Sequence, residues 1–220
     1  MRPSLDTLLS RDPASPSPEA LQRALDSARH ELAVAPRATS WRKQAWVAVG
    51  ISVGLVFAVA AVLLAVGQSS VGVMLGRAPL LGLLLLTCAL CAWSALVPRG
   101  RSVRRWSLGL AWVTATVLVL ARGTPPEASE LPGWVCTASH VAAAMGPLAW
   151  MLIALRGTAF DPRRALAAGL AVGTTGACVG ELACQQDWHH VAVWHLLAWG
   201  LVALASVALS SLLKPRSYAP

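Results

Sequence analysis

Six long apolar runs joined by brief connections dominate this chain: roughly Ala45 to Val66, Pro79 to Val97, Trp106 to Leu120, Val135 to Leu155, Ala165 to Ala183 and Val191 to Leu213. A helix that crosses the hydrocarbon core of a membrane needs about 20 mainly apolar residues, with about 17–25 the usual range. Most of the runs meet this outright, and the third does so if it extends to about Gly123. Short connections make neighbouring helices antiparallel. The expected fold class is all-α, a polytopic membrane protein with six transmembrane helices. Composition agrees, since 56% of the residues are hydrophobic and only 13% are charged, against about 25% charged in soluble domains.

The net charge of +8 could suggest a nucleic-acid partner, but the basic residues lie in the gaps between apolar runs, as topology-setting charges do. No direct nucleic-acid binding is expected. Of the 18 Lys and Arg, all but Arg77 and Arg122 fall on one side of a six-span arrangement: in the N-terminal tail, the 98–105 and 156–164 loops, and the C-terminal tail. The positive-inside rule then puts both termini in the cytoplasm. The connections 67–78, 121–134 and 184–190 are expected on the opposite side, outside the inner membrane.

Three domains follow: a cytoplasmic tail over residues 1–43, a transmembrane bundle over 44–213 and a short cytoplasmic tail over 214–220. The first tail shows no signal-peptide core. Ser17-Pro18-Glu19 reads as a helix start, with Ser at the N-cap, Pro at the first helical position and an acid in the first turn. Leu21, Leu25, Ala28 and Leu32 then recur at helical spacing, predicting an amphipathic helix of about four turns that ends near Pro36. A smaller cluster, Leu5, Leu8 and Leu9, precedes it across a Pro/Ser-rich link. A piece of this size buries too little to fold alone. It is expected to be partly disordered until a partner helix or the membrane surface covers its apolar face.

Soft and titratable residues concentrate between Cys136 and His195. Cys136 opens the fourth run and Cys184 closes the fifth, so an antiparallel hairpin brings both to one membrane boundary. His140 and Glu181 each lie one helical turn away on the same faces, so four candidate ligands converge. His189 and His190 belong to the following turn and His195 to the start of the sixth run. Cys, His and carboxylate are the ligand types of zinc and other thiophilic metals. The two cysteines could equally form a disulfide in an oxidising compartment. The plainer alternative makes the cysteines small fillers and the histidines interfacial polar groups, but a carboxylate such as Glu181 at the edge of a span is costly unless paired or hydrated.

Cys88 and Cys91 form a Cys-x-x-Cys, yet one inside an apolar run without flanking charge, so both read as packing residues, as does Cys178. Trp41, Trp46, Trp106, Trp134 and Trp188 stand near predicted span ends, where indole rings favour the headgroup level. Gly169, Gly173, Gly176 and Gly180 form overlapping small-xxx-small patterns, which let helix backbones approach closely. The fifth helix is therefore expected to be central, packing within one chain or in a homo-oligomer. Neither a GxSxG, an HExxH, a phosphate loop nor a dinucleotide fingerprint occurs, so the chain is not expected to be an enzyme.

From about residue 134 to 213 the chain resembles the NrsF-type six-span membrane anti-sigma factors. The residues that carry the resemblance are Cys136, Leu155-Arg156-Gly157, Pro162, the glycine-spaced helix, Glu181-Leu182-Ala183-Cys184, Asp187, Trp194-His195 and a final apolar helix. The resemblance implies a protein of the bacterial inner membrane whose tail sequesters an extracytoplasmic-function sigma factor. It also implies that Cys136 and Cys184 match the family's cysteine pair, placed to sense a thiophilic metal or oxidation; light or singlet-oxygen stress is a third signal. No resident cofactor is required on this reading. The rival from another class is a small transporter or a redox or haem carrier using His140, Glu181 and His195, which calls for a buried polar track across the bilayer.

Overall fold

The computed structural model describes residues 17–34, 40–98, 100–122, 132–156, 158 and 160–213. Two compact units are present, Met1–Thr39 and Ser40–Pro220. Within the first, α1 covers Pro18–Val34. Ser17 caps it, its hydroxyl accepting the backbone N–H of Ala20 at 3.2 Å. Leu21 and Leu25 are 53% and 45% exposed and Ala28 is exposed as well, so among the described residues this apolar face is open. Leu32 lies on the same helix. Leu5, Leu8 and Leu9 lie outside the described residues.

The second unit is an all-helical bundle with six helices long and apolar enough to cross a membrane. These are α2 (Trp41–Ala65), α4 (Ala78–Leu96), α5 (Arg101–Leu120), α6 (Gly133–Leu155), α7 (Pro162–Ala183) and α8 (Trp188–Leu212). A short helix, α3 (Val71–Gly76), links the first two spans. The chain is thus a multi-pass membrane protein. Large apolar side chains on the bundle exterior, among them Phe57, Trp112, Ile153 and Leu204, are exposed as a lipid-facing surface requires. Trp46, Trp106, Trp134 and Trp188 are exposed near helix ends, whereas Trp41 stacks edge-on against Trp93 at 4.7 Å.

The third span obtains its length differently from the expectation. It stops at Leu120 but starts at Arg101, five residues before Trp106. The reason is a paired charge: Arg104, 5% exposed, binds Asp161 at 2.8 Å and donates to the carbonyls of Ser94 and Val97, both at 3.1 Å. A buried guanidinium so engaged is tolerable where a bare one is not.

α7 is the central helix, with 83% of its apolar stretch buried against 17–44% for the other spans. α4, α6 and α8 surround it. Its glycines face those neighbours within the same chain. A Cβ on Gly169 would lie 2.5 Å from Cα of Ala203 on α8, and one on Gly176 would lie 2.6 Å from the carbonyl oxygen of His140 on α6. Gly173 makes room for the Trp199 indole, whose N–H donates to the Leu170 carbonyl at 2.9 Å. In lipid, close backbone contact of this kind replaces much of the hydrophobic drive.

Candidate functional site

The short connection from α7 to α8 is built by two local signals. Cys184 ends α7 in extended backbone, φ −110° and ψ 128°, while its N–H still donates to the Gly180 carbonyl at 2.8 Å. Three residues on, Asp187 caps α8 by accepting the N–H of His190 at 2.9 Å. The first turns of α8 then depart from α geometry, since Val191–His195 is a π turn in which the Leu196 N–H reaches back to the Val191 carbonyl. Thr137 on α6 donates to the Trp194 carbonyl at 2.9 Å, tying this turn to the start of the fourth span.

The π turn decides which ligands meet. In a regular α-helix two residues five apart point about 140° away from each other. Here the extra residue brings His190 and His195 together, ring centroids 5.3 Å apart. One sulfur or imidazole nitrogen from each of Cys136, Cys184, His190 and His195 lies within 4.8 Å of the other three. Cys184 and His195 are buried at 8% and 3% exposure, and Cys136 and His190 are half-buried. Nε2 of His190 and of His195 have no hydrogen-bond partner among the described residues. Both thiols are free.

The expected quartet of Cys136, Cys184, His140 and Glu181 is therefore regrouped. His140 stands behind the cluster, buried, its ring packed at a tilt against that of His195 with centroids 4.4 Å apart. Gly180 leaves the space for this pair, since a Cβ there would strike the His140 ring and come within 2.8 Å of Cε1 of His195. His189 is exposed and lies edge-on to Trp188, 5.8 Å between ring centroids. Glu181 turns toward two arginines. Its Oε1 receives Nη2 of Arg122 at 2.6 Å, and its Oε2 lies 3.8 Å from Nη1 of Arg77.

The same guanidiniums grip the end of α7. Nη1 of Arg77 donates to the carbonyls of Glu181 and, at 2.8 Å, of Cys184, and Nη1 of Arg122 donates to the Cys184 carbonyl at 3.0 Å. The last carbonyls of a helix lack internal partners and attract cations, which explains the choice. Burial lowers the pKa of Arg77 below the ordinary guanidinium value, Arg122 pushes the same way and Glu181 opposes both. By sequence alone these two arginines are legible only as topology-setting charges. Glu181 was the available signal: a carboxylate at a span end needs a countercharge, and Arg77 and Arg122 are the only Lys or Arg on that side.

At the opposite end of α7, Asp161 is both its N-cap, accepting the N–H of Arg163 at 3.0 Å, and the partner of buried Arg104. Among the described residues the fully buried ionisable side chains apart from the cysteines are His140, Glu181 and His195 near one end and Arg104 at the other. Between the ends lies a buried hydroxyl pair, Thr87–Thr114 at 2.7 Å, and beside Arg104 a second, Ser94–Ser107 at 2.8 Å. Cys88, Cys91 and Cys178 are fully packed in the core.

The fold and site define a six-helix membrane protein with an exposed amphipathic helix near one terminus and a thiol–imidazole cluster where three spans meet. The chain is 52% identical over 216 residues to the carotenogenesis protein CarR of Myxococcus xanthus, an alignment that covers 98% of this chain and 97% of the relative. It belongs to the CarR family. No family model matches the sequence. No solved structure matches it either.

Proposed function

We propose that this protein is a membrane-bound anti-sigma factor of the NrsF-type design, acting by binding and not by catalysis. It sits in the bacterial inner membrane with both termini cytoplasmic, and its tail, residues 1–43, holds an extracytoplasmic-function sigma factor away from core polymerase. The observation that carries this reading is the exposed apolar face of α1, Leu21, Leu25 and Ala28, on the first of the two compact units. An amphipathic helix with such a face is the form of ligand that a hydrophobic groove on a partner accepts. The name of the Myxococcus relative speaks of carotenogenesis, which supports a carotenoid-forming programme as the regulated output. The signal, metal, oxidative or light-linked, acts at the Cys/His cluster and shifts the bundle between two arrangements that differ by a few kcal/mol, or exposes it to proteolysis.

Co-purification of the detergent-solubilised chain with a sigma factor, paired with a promoter reporter, tests this. Capture by the full chain and loss of both capture and repression without residues 1–43 is the expected result. Repression that persists without the tail would sink the proposal.

A further inference from the structure

We propose that Cys136, Cys184, His190 and His195 bind one Zn²⁺ ion, which locks the ends of α6, α7 and α8 together. The inference rests on the reading above only for the ion's regulatory meaning; binding itself stands on the geometry.

A tetrahedral zinc site with Zn–S near 2.3 Å and Zn–N near 2.05 Å has its ligand atoms about 3.3–3.8 Å apart. The four atoms here already lie within 4.8 Å of one another. Closing by about 1 Å, which side-chain rotation supplies, completes the tetrahedron. Two thiolates and two neutral imidazoles are the donor set of closed, structural zinc sites. Charge favours a dication as well. When Cys136 and Cys184 each release a proton, two thiolates neutralise the ion, so the assembled site carries no net charge at the membrane edge. A monovalent soft ion would leave one negative charge there.

The surroundings point the same way. Imidazole nitrogens that are buried normally find a partner, yet Nε2 of both His190 and His195 has none among the described residues, and His195 is 3% exposed. The π turn is the backbone feature that aligns these two rings, and such bulges cluster at functional sites. The Arg77 and Arg122 bonds to the Cys184 carbonyl hold the residue after Glu181's turn at one height on α7. The rings of His140 and His195 share the space above Gly180, which restricts how His195 can turn.

The test loads the full-length chain, purified in detergent under reducing conditions with chelator and then freed of it, with Co²⁺ or Zn²⁺. The expected result is about one ion per chain, with the thiolate-to-cobalt charge-transfer and tetrahedral ligand-field absorption of a four-coordinate sulfur–nitrogen site, displaced by Zn²⁺. Cys184→Ser and His195→Gln should weaken binding by more than the about 10–100-fold that a change in an outer partner causes. His195→Cys keeps four ligands and should keep the ion with a stronger charge-transfer band, which guards against misfolding as the cause of loss. His189→Ala should change nothing. Cobalt absorption that is absent from the wild-type chain, or unaffected by His195→Gln, overturns the proposal. So does a Cys136–Cys184 disulfide that forms in the presence of stoichiometric Zn²⁺. Sigma-factor capture is read separately on the same preparations, so loss of zinc binding and loss of partner binding are distinguishable.

Discussion

Replacing Arg122 by Gln removes one side of a nearly water-free ion pair. The Arg122 and Glu181 side chains are 7% and 2% exposed, and their contact is 2.6 Å. Removing one member of such a pair costs about 3–5 kcal/mol, because the other charge is left buried without a countercharge. Here the lower end applies, since Arg77 remains 3.8 Å from the Glu181 carboxylate. A loss of about 3 kcal/mol in a chain of this size lowers the melting temperature by about 6–12 °C. Changing Glu181→Gln in the same chain removes the stranded charge, so the double variant should recover most of the loss and fall about 1 kcal/mol short of wild type. Cys88, Cys91 and Cys178 are all buried, so their reaction with a fluorogenic thiol reagent during a thermal ramp reports unfolding of the bundle. If Arg122→Gln melts within about 2 °C of wild type, or if the double variant is no better than the single, the carboxylate is hydrated and the argument fails.

Three further outcomes follow from named contacts. Deleting Val193 should turn the π turn into regular α-helix with His190 and His195 four apart, about 40° from alignment; cobalt absorption should persist, and its loss would mean that the bulge does more than align two rings. Gly180→Ala should cost about 1–3 kcal/mol by overpacking the His140–His195 pair, while Gly200→Ala, with open space at its Cβ, should be neutral or stabilise by about 0.5 kcal/mol, both read from the same thermal ramp. Leu25→Asp, on an exposed face, should abolish sigma-factor capture while leaving bundle stability within about 0.5 kcal/mol.

Period and length made the spans readable, because a lipid-crossing helix must be long and apolar wherever it occurs. The start of α1 was readable for a local reason: Ser17 and Pro18 act on their own backbone, and the cap forms as their types require. An antiparallel hairpin brings Cys136 and Cys184 to one boundary, and their sulfurs belong to one cluster. Their other companions were not readable at helical spacing. His190 and His195 join them only through an i→i+5 turn, which no residue type announces. Glu181 and His140, correctly spaced for the cluster, are diverted by the Arg122 ion pair and by packing against the His195 ring, both tertiary events. The early start of α5 was hidden for the same reason, since Arg104 in a span makes sense only once Asp161 is seen beside it.

The three charges at the end of α7 also have an order. Arg77 and Arg122 precede Glu181 in the chain, so during synthesis both guanidiniums reach the membrane surface before the carboxylate that they receive. A glutamate entering lipid alone is expensive, and a helix seamed with glycine offers lipid little to hold. For α7, insertion is thus less a partition into the bilayer than a docking onto spans already in place, a sequence of events that glycosylation mapping of staged truncations reads directly.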